Sequence, residues 1–230
     1  MSLLEAAIDA HGGAARWAEL HELRADIRGG GLLWPTKGRR APDIKPRVSC
    51  HEPVNVLEDY TGPGRRGIFD RGDVRIEEAD GTIVAERPGA RSAFHALSRR
   101  AFYWDDLDVL YFTGYASWNY LTAPWLLAFD GVQTRELPGR RLAATFPPHI
   151  PTHTAEQVFH FDDEAKLIRL DYTAEPIGRW AKAAHLCFDH REFDGLLAPT
   201  RRHVVPLGPG ARPLPGPKLV KIALVSLSAA

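Results

Sequence analysis

Four polar side chains, among them the potential acid/base groups of a histidine and an aspartate, fall on two strands that the alternation of residue types predicts to form a hairpin. The short polar stretch 162–166 would join the strands, and pairing across it predicts three facing pairs: Phe161 with Leu167, Phe159 with Arg169, and Gln157 with Asp171. Phenylalanines on this face indicate that it is buried, and His153 lies on the same side. Burying His153, Gln157, Arg169 and Asp171 is costly unless these groups pair with one another or bind a ligand.

A second predicted hairpin brings further reactive groups together. If Asp194-Gly195 forms a two-residue turn, Cys187 lies opposite Arg202 and His185 lies opposite Val204. His185, Cys187 and Arg202 then share one face, whereas a slip of one residue would turn all three towards solvent.

The candidate catalytic residues are therefore His153, Asp171, His185 and Arg202. Histidine is the natural base near neutral pH, Asp171 could orient it or act itself, and Arg202 could stabilise a developing anion. Gln157 and Arg169 are candidate ligand contacts. The structural alternatives are hydrogen-bonded or surface histidines and an ion pair between Arg169 and Asp171.

Aromatic residues are concentrated in the centre of the chain. Nine of them lie within a tenth of the sequence: Phe102, Tyr103, Trp104, Tyr111, Phe112, Tyr115, Trp118, Tyr120 and Trp125. Most would be core, but tyrosine and tryptophan carry polar tips that suit the mouth of a binding site. Four are candidate ligand contacts: Tyr111, Tyr115, Trp118 and Tyr120. Gly114 could act as a hinge among them.

Motifs for metals and cofactors are weak in this sequence. His149 and His153 would be roughly 13 Å apart on a strand, too far to share an ion. Residues 62–67 match the glycine pattern of dinucleotide-binding loops, but they lead into extended sequence and do not open a helix. We therefore expect no cofactor and no metal, unless a metal site forms across strands.

Composition limits the partners. Lysine plus arginine (29) equals aspartate plus glutamate (29), so there is no global field to hold nucleic acid. No apolar stretch is long enough to span a membrane. With two cysteines and acidic residues in the N-terminal segment, we expect a cytoplasmic protein with free thiols. The sequence does not indicate the oligomeric state.

The order of elements predicts one α+β domain over residues 1–230. Helices are expected over residues 1–20, opened by a capping box at Ser2 and Glu5, followed by a first strand set over 21–90. A helical cover follows over 91–127 and a second strand set over 128–230. Short polar connections between strands favour a long antiparallel sheet.

This order of elements resembles the half-barrel carriers of lipoproteins and lipids, the LolA/LppX-like fold. The segments 152–157, 167–172 and 199–202 also resemble actinobacterial proteins of unassigned function. The resemblance implies a strongly curved sheet around an apolar cavity, with helices closing the mouth. It assigns no catalytic residue.

Three functional hypotheses follow. The first is a half-barrel that binds a small, largely apolar or aromatic molecule and acts on it by cofactor-independent acid/base chemistry, as a lyase, isomerase or cyclase. The alternative is a non-catalytic carrier or sensor of a lipid-like or aromatic ligand in the same cavity. The third, a protein-interaction module, requires an exposed apolar patch.

Overall fold

The computed structural model describes residues 1–95 and 98–230. Within these ranges the chain forms fourteen strands: β1 (Glu22–Gly30), β2 (Lys45–Ser49), β3 (Val54–Glu58), β4 (Arg66–Asp70), β5 (Asp73–Glu77), β6 (Ile83–Arg87), β7 (Gln133–Leu137), β8 (Arg141–Thr145), β9 (Glu156–Phe161), β10 (Leu167–Thr173), β11 (Lys182–Phe193), β12 (Leu196–Gly208), β13 (Arg212–Pro213) and β14 (Val220–Ala229). The α-helices in the same ranges are α1 (Leu3–Ala10), α2 (Ala14–Glu19), α3 (Leu33–Thr36) and α4 (Asp106–Thr122). Short 3-10 helices cover Ala90–Ala93, Arg99–Ala101, Trp125–Ala128 and Pro209–Ala211.

All strands belong to one curved, unclosed antiparallel sheet, which confirms the predicted α+β half-barrel. The order is β6-β5-β4-β3-β2-β1-β14-β12-β11-β10-β9-β8-β7, with β13 paired to β12 outside this path. Strand β14 lies between β1 and β12 and so joins the two strand sets. The free edges are β6 and β7, and the chain segment that connects them contains α4.

The N-terminal helices form where the sequence predicts them. The Ser2 hydroxyl accepts a hydrogen bond from the Glu5 amide at 3.2 Å, and the Ser2 amide donates to Glu5 Oε2 at 2.7 Å. This capping box satisfies two backbone donors at the start of α1. The glycine pair that follows α1 separates it from α2.

The central helix α4 lies against β2, β3, β4 and β5. Asp105 caps it, because its carboxylate accepts the Asp108 amide at 2.8 Å and Asp108 accepts the Asp105 amide at 3.1 Å. Fifteen of its seventeen residues are buried, the others being Asp106 and Tyr120. The central helix thus covers the sheet, as predicted, and is itself buried on nearly every side.

A buried ion network holds the start of α4. Asp108 is fully buried, and its Oδ1 accepts hydrogen bonds from Arg87 at 2.6 Å and from Arg100 at 2.5 Å. Arg87 also donates to Asp105 at 2.8 Å. The network therefore pairs each buried or half-buried arginine at this site with a carboxylate.

The hinge predicted at Gly114 is wrong. The helix continues unbroken through Gly114, and a Cβ atom added there would lie 2.6 Å from Phe69 Cβ on β4. At Gly114 the helix therefore lies so close to Phe69 that only a residue without a side chain fits.

Several strand boundaries also differ from the sequence prediction. The alternation of residue types predicts extended stretches over 21–33 and 47–60, whereas β1 ends before the helical turn α3 and the second stretch is divided between β2 and β3. Strand β4 begins at Arg66, inside the glycine-rich motif, which confirms that this motif opens no helix. Within the helical cover the sequence also predicts a short helix over 93–99, which includes residues 96 and 97 and so lies partly outside the described residues.

Among the described residues, no helix combines the length and the apolar character needed to cross a membrane.

Candidate functional site

A cavity of about 810 Å³ lies between α4 and the sheet. Its walls come from α3, from α4 and from strands of both sets, and most of the lining is apolar: Ile27, Trp34, Phe112, Leu121, Ile177 and Leu224 are representative. This volume lies in the upper part of the range usual for small-molecule sites. The cavity can therefore hold an apolar molecule of appreciable size.

His153 is the centre of a polar cluster at one wall of this cavity. Its Nδ1 lies 2.8 Å from the Tyr115 hydroxyl, and its Nε2 lies 2.5 Å from the Tyr120 hydroxyl. Both tyrosines extend from α4, whereas His153 lies in the connection that precedes β9. Both ring nitrogens of His153 are therefore occupied by hydroxyl groups of the protein.

The cluster continues through Tyr172 to His185. The Tyr172 ring stacks on His153 with centroids 4.1 Å apart and planes 9° apart. The Tyr172 hydroxyl lies 3.2 Å from the Tyr120 hydroxyl and 3.5 Å from His185 Nδ1. The cluster therefore has five aromatic groups: two tyrosines from α4, His153, Tyr172 from β10 and His185 from β11.

At least one proton arrangement satisfies every contact in this chain of five groups. If Tyr115 donates to His153 Nδ1, then His153 Nε2–H donates to Tyr120. Tyr120 can then donate to Tyr172, and Tyr172 to His185 Nδ1. The His185 Nε2 atom ends the chain, and it has no hydrogen-bond partner among the described residues.

Burial keeps this cluster uncharged. It lowers the pKa of His153 to about 3, with a smaller contribution from the positive charge of Arg91. Burial likewise lowers the pKa of His185 far below its ordinary value and raises the pKa of Tyr120 far above its own. At neutral pH the cluster is therefore a set of neutral donors and acceptors.

Arg202 lies beside this cluster on β12, opposite Cys187 on β11 as predicted. Its Nη1 donates to Cys187 Sγ at 3.4 Å, and its Nη2 donates to the Tyr120 carbonyl oxygen at 2.8 Å. The guanidinium also lies 5.4 Å from the centroid of the Tyr120 ring. Burial raises the pKa of Cys187, so the neighbouring thiol brings no negative charge to Arg202.

The predicted pairing of the first hairpin is wrong beyond its first pair. Leu167 pairs with Phe161 as expected, but a bulge at Ile168 then places Arg169 opposite His160 and Asp171 opposite Val158. One extra residue in a strand reverses the direction of every side chain after it. The bulge therefore turns Arg169 and Asp171 away from the cavity and turns Tyr172 into it.

Asp171 forms a separate cluster on the outer face. His160 Nε2 lies 2.9 Å from Asp171 Oδ2, and Arg169 donates to both carboxylate oxygens at 2.6 and 2.7 Å. Burial raises the pKa of Asp171, but the hydrogen bonds from His160 and Arg169 outweigh it and lower the pKa overall. Asp171 therefore does not orient His153 or His185, and its pairing with Arg169 matches the structural alternative.

The other candidate residues have different positions. Gln157 is buried on the inner face, as predicted, and donates to the Thr154 carbonyl oxygen at 3.2 Å, but it does not line the cavity. Tyr111 and Trp118 are buried in the core, with Trp118 Nε1 donating to the Ser49 carbonyl oxygen. Of the four predicted aromatic contacts, Tyr120 lines the cavity. Tyr115 does not line it but forms a hydrogen bond with His153, which does.

Sequence analysis did not identify Tyr172 or the aromatic mouth of the cavity. Tyr172 lies on a predicted strand, but regular alternation without the bulge assigns its side chain to the outer face. Three lining residues at the mouth are strongly exposed: Phe102 at 81%, Trp180 at 80% and Leu32 at 55%. Exposed large apolar groups around an opening are typical of binding sites.

Within residues 1–95 and 98–230, no group of three or more histidine, cysteine, aspartate or glutamate side chains has the arrangement of a metal site. The two cysteines, Cys50 and Cys187, are both buried and unpaired with each other.

No family model matches this chain, and no curated protein matches it in sequence. Among solved structures, a LolA superfamily protein from Nitrosomonas europaea is similar, with 9% identity and a TM-score of 0.52 over 99% of this chain and 92% of that one. This similarity confirms the predicted LolA-like half-barrel fold and shows the fold alone.

Two weaker similarities were also found. A DUF1329 family protein from Desulfovibrio piger is 13% identical, with a TM-score of 0.48 over 100% of this chain and 94% of that one. The Mycobacterium tuberculosis lipoprotein LppX is 11% identical, with a TM-score of 0.30 over 99% and 93%. The resemblance to actinobacterial proteins of unassigned function stays a prediction.

Proposed function

We propose that this protein is a non-catalytic carrier or sensor that binds a lipid-like or aromatic molecule inside its half-barrel. The observation that supports this function best is the cavity of about 810 Å³ with its largely apolar lining. Filling such a space with an apolar molecule removes both molecules' apolar surface from water, which is the main favourable contribution to binding.

The mouth of the cavity also fits a carrier. Phe102, Trp180 and Leu32 expose large apolar surfaces there, although each belongs to the lining of the cavity. These side chains are placed to contact an apolar ligand before it enters and after it leaves. A carrier or sensor must exchange its ligand, so an apolar path between cavity and surface serves this function.

Mass spectrometry tests this proposal directly. The protein is purified without detergent and denatured in organic solvent, and the extract is compared with that of a protein of different fold prepared in parallel. We expect an apolar molecule in a fixed ratio to the protein. A stripped sample should then bind Nile red with a fluorescence increase. A sample that yields no molecule and binds no Nile red would contradict the proposal.

Cofactor-independent acid/base chemistry on the same ligand is the second candidate, as a lyase, isomerase or cyclase reaction. It is favoured by one observation, the presence of the uncharged base His153 and the cation of Arg202 in one cavity lining. The carrier function is better supported, because both nitrogens of His153 already bond to Tyr115 and Tyr120. A substrate would have to displace one of these hydroxyl groups before a proton could transfer.

The two candidates differ in what happens to the ligand. A carrier leaves the recovered molecule unchanged during prolonged incubation with an excess of protein, as followed by NMR. An enzyme converts it, and His153→Gln would then slow the conversion far more than it weakens binding. Conversion by the native protein that His153→Gln abolishes would replace the carrier function with the enzyme function.

A further inference from the structure

Arg202 is buried, and it differs from three half-buried arginines in having no carboxylate partner among the described residues. Arg87 and Arg100 both pair with Asp108, and Arg91 pairs with Glu175. Arg202 is only 5% exposed, yet among the described residues no aspartate or glutamate forms an ion pair with it. An unpaired buried charge is costly because water no longer solvates it.

The hydrogen bonds of Arg202 leave most of its donors free. A guanidinium has five N–H groups, and two of those in Arg202 are used, one on the Cys187 sulfur and one on the Tyr120 carbonyl oxygen. Sulfur is a weak acceptor, and neither partner is charged. Because Arg202 lines the cavity, its remaining donors are available to a molecule bound there.

Every charged side chain that lines the cavity within the described residues is a lysine or an arginine. The lining includes Lys37, Lys182, Arg202 and Lys221, and no aspartate or glutamate lines the cavity within the described residues. Lys37 is buried and donates to the carbonyl oxygens of Arg100 and Ala101, whereas Lys182 and Lys221 are exposed. Arg202 is thus the cation placed to meet a ligand inside the cavity, and the two exposed lysines attract anions towards it.

We propose that the ligand is an amphiphile with a single carboxylate, which binds Arg202, while its apolar tail fills the cavity towards the mouth. This inference rests on the proposed carrier function and adds the chemical class and the orientation of the ligand. A carboxylate matches the planar fork of a guanidinium, because two parallel N–H groups can donate to its two oxygens.

The depth of Arg202 determines the orientation. Arg202 and His153 are buried, at 5% and 2% exposure, whereas Phe102 and Trp180 at the opening are about 80% exposed. The head group therefore lies inside and the tail leads outwards. Entry of the carboxylate neutralises the buried cation, so ligand binding should also stabilise the fold beyond what apolar burial contributes.

The test compares oleate with methyl oleate, which has the same chain but no charge. Both are titrated by displacement of Nile red from the native protein and from two variants, Arg202→Met and Arg201→Met. Arg201 is the matched control, because it is the next residue on β12, points to the outer face and pairs with Asp189 at 2.7 Å.

We expect the native protein and Arg201→Met to bind oleate at least about tenfold more tightly than methyl oleate, a difference of about 1.4 kcal/mol. Arg202→Met should lose this preference while its affinity for methyl oleate changes less than about threefold. Because Arg202→Met removes an unpaired charge, thermal unfolding without ligand should occur at the native temperature or above.

Equal affinity of the native protein for oleate and methyl oleate would overturn the carboxylate proposal and leave the carrier function intact. Retention of the oleate preference by Arg202→Met would also overturn it. Failure of both ligands and of Nile red to bind would instead contradict the carrier function, and the inference with it. If Arg202→Met does not fold, the preference of the native protein for oleate still decides the class of ligand.

Discussion

The imidazole of His153 stacks face to face on the phenol of Tyr172, with ring centroids 4.1 Å apart. This contact exists because the bulge at Ile168 turns Tyr172 inwards. Without the bulge Asp171 would occupy the inner face, and a carboxylate would lie where the structure has a neutral ring. One backbone irregularity thus decides that the wall of the cavity is an uncharged hydrogen-bonded cluster.

Tyr120→Phe should destabilise the protein more than Tyr172→Phe. The first change removes the hydroxyl that bonds His153 Nε2 at 2.5 Å and leaves a buried nitrogen without a partner, at a cost of about 1–3 kcal/mol. The second change also removes the partner of a buried nitrogen, His185 Nδ1, but that contact is long at 3.5 Å, the other lost contact is 3.2 Å, and the stacked ring is kept. Urea unfolding of both variants measures the difference, and a larger loss for Tyr172→Phe would contradict the described network.

Stability should fall as the pH is lowered from about 6.5 towards 4. Burial lowers the pKa of His153 to about 3 and that of His11 to about 4, and it also lowers the pKa of His185. In this window the unfolded chain binds protons at these histidines that the folded chain does not. The free energy of unfolding therefore decreases with falling pH, by up to about 1.4 kcal/mol per pH unit for each histidine.

The variant His153→Gln should reduce this pH dependence by about one proton, measured as the slope of the free energy of unfolding between pH 6 and 5. The control is Gln157→Ala, which removes a buried polar side chain that carries no titratable group, so its slope should equal that of the native protein. An unchanged slope in His153→Gln would show that His153 is protonated in the folded protein.

Gly114→Ala should destabilise the protein although alanine favours helices. The added Cβ would lie 2.6 Å from Cβ and 2.9 Å from Cγ of Phe69, which is fully buried. We expect a loss of about 1–3 kcal/mol from overpacking. Gly62→Ala is the control, because nothing lies within 4 Å of a Cβ there, and it should change stability by less than about 0.5 kcal/mol. Thermal unfolding of the two variants gives the comparison, and equal stability would refute the close contact.

Ala116→Phe should lower the affinity for apolar ligands. Ala116 lies on α4 and lines the cavity, so a larger side chain would occupy the space that a ligand tail needs. We expect a loss of at least tenfold in the affinity for Nile red, about 1.4 kcal/mol. The control Ala223→Phe adds the same ring at an exposed position of β14 and should bind as the native protein does. Equal affinities in both variants would place the ligand elsewhere.

Local signals in the sequence were enough to predict much of the fold. Helix starts are one example: they are marked by the capping box of Ser2 and Glu5 and by the aspartates at the start of α4. These residues act on neighbouring backbone groups, so they can be recognised from the sequence alone. The pairing of Cys187 with Arg202 was predictable for the same reason. The turn at Asp194-Gly195 sets the register of that hairpin, which holds through the predicted pair His185 and Val204 as far as Ala183.

The sequence by itself thus determined the class of fold, the placement of most strands and the inward face that carries His185 and Arg202, because short-range turns and alternation encode them. Only the tertiary structure decided the composition of the site. The bulge at Ile168 places Tyr172 rather than Asp171 on the inner face of β10. The packing of α4 brings Tyr115 and Tyr120 to His153. These contacts join residues far apart in the chain, where close packing and buried hydrogen bonds outweigh local periodicity.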